Sequence, residues 1–172
     1  FLTALLSAER LGYCPTNQQL QNLLNETFWP GRIQIVNSSP MTIFDVAHNQ
    51  ASFATLRHTL KDYLGIQQAV FLLGFLNGKD FPGIAHELAQ MQSKIILTTA
   101  FNPKAAFPSD IIHFFSPYVT YHEVINNPYQ AWERALQYAS DLRLPLVVAG
   151  SFYLAKLLSD NLNVTLSKEE VE

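Results

Sequence analysis

From Arg32 to Leu158 the sequence alternates short aliphatic runs with amphipathic stripes, and that alternation leaves few folds open. Ile33–Val36 reads as a strand, Asn37–Pro40 as a turn and Met41–Phe44 as a second strand. Ala51–Leu64 is helical and stops at Gly65, and Ala69–Leu73 is a buried strand. Phe81–Met91 is helical, Lys94–Thr99 a strand, Pro108–Phe115 a short helix and Tyr118–Val124 extended. Pro128–Asp141 is a long helix, Leu144–Ala149 a strand and Ser151–Leu158 a final helix. This order predicts an α/β domain with a Rossmann-like, mainly parallel sheet flanked by helices. A tight turn joins the first two strands, so that pair is expected to be antiparallel.

Ahead of this unit, Leu2, Leu5, Leu6 and Leu11 form a helical stripe that ends at Gly12, a natural C-terminal cap. Thr16-Asn17-Gln18-Gln19 has the capping-box pattern, and Leu20, Leu23 and Leu24 continue one apolar face. Phe28-Trp29-Pro30-Gly31 breaks the helical signal. The expected organisation is therefore residues 1–31 as the last helices of a preceding domain plus a hinge at Phe28–Gly31, then the α/β unit over 32–158. Residues 159–172 are expected to be a loose polar tail.

Composition narrows the partners. With 48% apolar residues and no run near the ~18 uninterrupted apolar residues of a membrane span, the 172 residues suit one compact domain. Charged residues are 15%, against roughly 25% in ordinary soluble chains, which fits a domain that packs against another. A net charge of −3 gives no basic footprint for nucleic acid. The single cysteine, Cys14, excludes an internal disulfide framework. The first residues, with Glu9 and Arg10, make a poor signal peptide, so a cytoplasmic protein is expected, and it is expected to be a monomer without nucleic-acid or membrane partners. Three Asn-x-Ser/Thr matches, at Asn25, Asn37 and Asn163, carry no meaning without secretion.

Ligands of open parallel sheets sit outside the carboxyl ends of the strands. Here those ends carry Asp45-Val46-Ala47-His48-Asn49, then Gly74 to Asp80 with Lys79, then Thr98-Thr99 with Asn102-Pro103-Lys104, and last Gly150-Ser151. Asp45 could accept hydrogen bonds from paired ribose hydroxyls, or it could simply cap the following helix. His48 could donate to a phosphate or carboxylate, or be a hydrogen-bonded structural residue. Lys79 and Lys104 could each hold an anion, or be solvated loop lysines. Gly150-Ser151 offers backbone N–H groups and a hydroxyl to an anion, a role compatible with Ser151 as a helix cap. His48, His58, His86, His113 and His122 show no metal-ligand spacing, so no metal site is assigned. There is no G-x-G-x-x-G, no P-loop around Lys79 and no nucleophile elbow around Ser151.

Three segments in order resemble one family. Trp29-Pro30-Gly31-Arg32, Asp45-Val46-Ala47-His48-Asn49 and Gly150-Ser151-Phe152-Tyr153-Leu154 are similar, in type and spacing, to segments of the folylpolyglutamate and dihydrofolate synthase group of Mur-type ligases. Lys79-Asp80 and Asn102-Pro103-Lys104-Ala105 match intervening loops. The resemblance covers Phe1 to Leu158 and implies the C-terminal domain of a ligase whose N-terminal P-loop domain lies outside this chain. Such enzymes phosphorylate a carboxylate with ATP, and the amine of an incoming amino acid attacks the acyl phosphate. In this group the acceptor is dihydropteroate or folate, and the amino acid is L-glutamate. Carried over by position, Arg32 contacts the ATP phosphates and Asp45 the ribose, with His48 beside them as the catalytic candidate. Lys79, Ser151 and Lys104 are the candidates for the glutamate carboxylates. The Mg²⁺ ligands and most of the folate pocket are expected upstream, and the fragment alone is expected to be inactive. Gln50 departs from the family, which commonly has proline there, and this could alter the helix start. The rival readings are a peptidoglycan-type Mur ligase with another acceptor and a nucleotide-binding module without catalysis.

Overall fold

The computed structural model describes residues 2–162. Two helices come first, α1 (Leu2–Arg10) and α2 (Asn17–Glu26). The strands are β1 (Gln34–Ser38), β2 (Met41–Phe44), β3 (Val70–Leu73), β4 (Lys94–Leu97), β5 (Tyr121–Val124) and β6 (Leu146–Ala149). Between and after them lie α3 (Gln50–His58), α4 (Phe81–Ala89), α5 (Pro108–Phe115), α6 (Pro128–Leu142) and α7 (Ala155–Leu162). One sheet has the order β1-β2-β6-β3-β4-β5. β1 runs antiparallel to β2 and the other pairings are parallel, so the expected fold class holds.

The two faces of the sheet follow from the two-residue period of a strand. In β3, Phe71 and Leu73 enter one core with Phe53, Leu56, Ile84, Leu88, Ile111 and Phe115 of α3, α4 and α5. Val70 and Leu72 point to the other face, where Trp132 and Ala135 of α6 and Leu157 and Leu158 of α7 cover them. Every residue of β3 and β6 is buried, as expected of strands covered on both sides. Each fully buried side chain of this size contributes about 1.5–3 kcal/mol.

Several boundaries differ from the sequence reading, each for a local reason. Ile33 falls outside β1 because its φ of +47° is left-handed, and β1 instead runs on to Ser38 with a bulge between Ile35 and Asn37. The helix over Ala51–Leu64 is an α-helix only to His58, then widens into a π-helical turn over Thr59–Tyr63 before Gly65 (φ +67°) ends it. The extended stretch from Tyr118 pairs only from Tyr121 onward. α7 follows a 3₁₀ turn at Phe152–Leu154 and continues to Leu162, so residues 159–162 are helical; the remainder of the expected polar tail lies outside the described residues. The Thr16 capping box is present. No residue of α1 is buried, and Leu2, Leu6 and Leu11 stay exposed.

Candidate functional site

The last strand, β6, lies between β2 and β3, which makes the loops after β2, β6 and β3 neighbours. Backbone hydrogen bonds join them directly. Asp45 N–H donates to the Val148 carbonyl at 3.0 Å, Gly150 N–H to Ala47 at 2.8 Å and Gly74 N–H to Ala149 at 3.2 Å. Such close approach depends on glycine. A Cβ on Gly150, whose φ is +102°, would lie 2.7 Å from the Gly74 carbonyl oxygen and 2.9 Å from the Phe75 ring. The loops after β3 and β4 are joined in turn, by Ala106 N–H on the Phe75 carbonyl at 2.9 Å and Asn77 N–H on the Lys104 carbonyl at 3.0 Å.

Asp45 is only 6% exposed. Its Oδ2 accepts the Ile33 N–H at 3.0 Å and its Oδ1 accepts the Ala47 N–H at 2.8 Å. Burial pushes its carboxyl above the ordinary value, and the two N–H donors and the Arg32 charge offset part of that rise. Asp45 does not cap α3. The cap is Asn49, whose side chain accepts the Ser52 N–H at 2.9 Å while Ser52 Oγ accepts the Asn49 N–H at 3.1 Å. Gln50 is therefore an ordinary first residue of α3, and the departure from proline there leaves the helix start intact. A cavity of about 330 Å³ is lined by Arg32, Ile33, Asp45, Ser52, Thr55, Leu56 and Thr59. Arg32 is exposed and, among the described residues, has no carboxylate partner.

The Nδ1 atom of His48 lies 2.8 Å from the Val46 carbonyl oxygen, which can only accept, so Nδ1 carries the proton of that bond. In the neutral ring Nε2 is then left as an acceptor, and it donates to an anion only when the ring is protonated. Ser151 is 6% exposed, and its Oγ accepts the Tyr153 N–H at 3.2 Å as the cap of the 3₁₀ turn. Lys79 is half-buried and Lys104 exposed; neither meets a carboxylate among the described residues. Asp80 is occupied as the cap of α4, accepting the Gly83 N–H at 3.0 Å.

The structure thus groups the candidates in two places. Arg32 and Asp45 share the 330 Å³ cavity between the connector and α3. Lys79 and Ser151 sit on the adjoining loops of neighbouring strands, and Lys104 on the loop tied to that of Lys79. His48 lies on the Asp45 loop, whose Ala47 carbonyl accepts from Gly150. Sequence reasoning missed Asn49 and Ser52, although Asn-x-x-Ser is a visible variant of a capping pattern. It also missed Ile33, for which a β-branched side chain gives no warning of a left-handed backbone. Among the described residues no three His, Cys, Asp or Glu side chains come together to hold a metal ion, and no helix is long and apolar enough to cross a membrane.

Residues 31–152 match the family model described as Mur ligase, glutamate ligase domain. The folylpolyglutamate synthase of Lacticaseibacillus casei is 27% identical over 164 residues, covering 93% of this chain and 36% of its own length. The dihydrofolate synthase/folylpolyglutamate synthase of Escherichia coli is 26% identical over 151 residues, covering 88% and 35%. Among solved structures, the folylpolyglutamate synthase of Mycobacterium tuberculosis complexed with ADP and AMPPCP superposes with a TM-score of 0.83 at 20% identity, over 93% of this chain and 38% of that one. E. coli FolC in complex with DHPP and ADP gives 0.77 at 25% identity, over 92% and 37%. The chain spans little more than a third of the length of the curated relatives L. casei and E. coli provide.

Proposed function

The chain belongs to the family of Mur ligase glutamate ligase domains, and we propose that it is the nucleotide- and amino-acid-gripping domain of a folylpolyglutamate or dihydrofolate synthase. The observation that carries the reading is the joining of the loops after β2, β6 and β3 by backbone hydrogen bonds, which brings Asp45, His48, Lys79 and Ser151 onto one edge of the sheet. ADP in the solved complexes of similar proteins supports ATP as the nucleotide, and the folate-enzyme relatives support a dihydropteroate or folate acceptor over a peptidoglycan one.

In this reading residues 1–31 are the closing helices of an upstream P-loop domain plus the hinge at Phe28–Gly31, and residues 32–158 form the ligase domain. The γ-phosphoryl group of ATP passes to the acceptor carboxylate as ADP leaves. The glutamate amine then attacks the acyl carbon, loses a proton and expels inorganic phosphate. Asp45 accepts from the ribose, and Arg32 supplies a charge-assisted bond to the phosphates. Lys79, Ser151 and Lys104 hold the two glutamate carboxylates and so align the amine for attack. His48 is the catalytic candidate, since its Nε2 can take a proton from the attacking amine. Any Mg²⁺ that accompanies ATP is expected to find its protein ligands in the upstream part. The expected setting is the cytoplasm.

Steady-state kinetics of the full-length protein test the reading. Release of ADP should require both a folate-type acceptor and glutamate. Asp45→Ala should raise the Michaelis constant for ATP, and Lys79→Ala that for glutamate. A full-length protein that releases no ADP with these substrates refutes the assignment.

A further inference from the structure

The cavity that Arg32 and Asp45 share has one wall made by α3 and the π-helical turn that follows it, where Ser52, Thr55 and Thr59 line the space. What that wall can bind follows from its protons and lone pairs. Thr55 Oγ lies 3.1 Å from the Ala51 carbonyl oxygen, and Thr59 Oγ lies 2.9 Å from that of Thr55. A carbonyl only accepts, so each hydroxyl has spent its one proton on the helix and keeps its two lone pairs. Among the described residues no donor reaches either oxygen. Ser52 is already full. Its Oγ accepts the His48 and Asn49 N–H groups at 3.0 and 3.1 Å and donates to the Asn49 carbonyl at 2.9 Å.

Asp45 adds to the acceptors. Each of its oxygens takes one N–H, from Ile33 or from Ala47, and keeps a further lone pair. Asp45, Thr55 and Thr59 thus turn acceptors toward a space at which Arg32, an exposed guanidinium, offers only donors. Such a cavity selects a molecule with hydroxyl protons on one part and negative charge on the next. A ribose joined to phosphates is built that way. At about 330 Å³ the cavity lies at the small end of ligand pockets, which suits the sugar rather than the whole nucleotide. The two threonines are four residues apart, so they share a helix face. Neither helps the helix: threonine is a poor helix former, and its bond to the carbonyl four residues back weakens the turn it sits on.

We propose that Thr55 and Thr59 accept hydrogen bonds from the ribose hydroxyls alongside Asp45, so that this cavity selects ribonucleotides over their deoxy counterparts. The assignment rests on the ATP reading of Arg32 and Asp45 and adds the residues that set its sugar specificity.

Calorimetry on the full-length protein with ADP, 2′-deoxy-ADP and 3′-deoxy-ADP tests it. Wild type should bind ADP about 5- to 30-fold more tightly than either analogue. Thr55→Val and Thr59→Val keep the shape of the side chain and lose its oxygen. Each should weaken ADP by about 3- to 10-fold while leaving one analogue at its wild-type affinity, so the preference for ADP over that analogue falls by the same factor. Thr55→Ser restores the oxygen and should restore the preference. A threonine that only shapes the helix predicts equal weakening of all three nucleotides, or none. Either pattern in either variant overturns the assignment of that residue, and a wild type that binds the three nucleotides alike overturns both. Asp45→Ala separates this from the reading beneath it. If that variant binds ADP as wild type does, the nucleotide is not in this cavity and both readings fall. If it binds ADP weakly while the valine variants keep the wild-type preference, only the threonine assignment falls.

Discussion

The flank formed by β5 and α6 and the carboxyl edge of the sheet treat charge in opposite ways. On the flank, Arg134 Nε meets Glu123 Oε2 at 3.2 Å, and the Tyr138 hydroxyl donates to the same oxygen at 3.0 Å. The Lys94 ammonium stands 3.2 Å from the centre of the Tyr121 ring, and the hydroxyls of Tyr121 and Tyr138 bond to each other. That bond, then burial and the bond to Glu123, push the Tyr138 hydroxyl above its ordinary value. On the carboxyl edge the carboxylates of Asp45 and Asp80 are spent on backbone N–H groups of Ile33, Ala47 and Gly83. Among the described residues Arg32, Lys79 and Lys104 meet no carboxylate. The flank spends its carboxylate on a cation and a hydroxyl, whereas the edge spends its carboxylates on the backbone.

The widest gap between the two regions should appear in the isolated chain. The carboxyl edge has cations and N–H donors but no phosphate-cradling loop, and phosphoryl transfer needs the cradle and the metal together. ADP release from the isolated 172-residue chain, with ATP, folate and glutamate present, should not exceed the blank in a coupled assay. Folate- and glutamate-dependent release would break the comparison, because the edge would then be a complete site.

Next in size is Asp45→Ala in the full-length protein. Losing a charge-assisted acceptor should cost ATP binding about 1–3 kcal/mol, roughly 5- to 150-fold. Helicity by circular dichroism should stay near wild type, since Asn49 caps α3 and Asp45 does not. A variant that loses helicity and melting temperature yet keeps its Michaelis constant for ATP would mean that Asp45 serves the fold alone.

How much of this was legible beforehand depended on the range of the interaction involved. Signals that act within a few residues could be read: the Thr16 capping box, the bounds of α5 from Pro108 to Phe115, and the antiparallel β1–β2 pair. The position of β6 between β2 and β3 could not, because a strand's neighbours are chosen by packing across the whole sheet. Without that neighbour relation, Lys79 and Ser151 could be placed at strand ends but not on adjoining loops. Asp45 could be read as cap or ligand because both need an acceptor before a helix. Only the folded geometry separates its loop-tying bonds from the Asn49 cap. Ile33 was illegible for a deeper reason, since its backbone is dictated by a partner twelve residues away against its own preference.

Lys79→Ala should have a smaller and more selective effect. A fixed ammonium on a glutamate carboxylate gives roughly tenfold in the Michaelis constant for glutamate when removed, with that for ATP nearly unchanged. Both constants at wild-type values would make Lys79 a solvated loop lysine. Impairment toward ATP alone would put the amino-acid site on the wrong loop.

The smallest effect belongs to the matched flank, and it is the control for the rest. Arg134 and Glu123 are each about a third exposed at the side chain, and their pair is one of several contacts that share Tyr138. Exposed ion pairs contribute little because water and salt already screen both charges. Arg134→Ala and Glu123→Gln in the full-length protein should therefore lower the melting temperature by no more than ~2–4 °C. The difference from wild type should shrink further in high salt, and neither Michaelis constant should move. Glu123→Gln has a further use, because the Tyr138 hydroxyl keeps an amide oxygen to donate to while Arg134 loses its counter-charge. If Arg134→Ala shifts the melting temperature and Glu123→Gln does not, the flank is held by hydrogen bonding and packing rather than by charge. If either variant raises the Michaelis constant for ATP or glutamate as much as Lys79→Ala does, then matched and unmatched cations are equally tied to ligands, and the contrast between the two regions is lost.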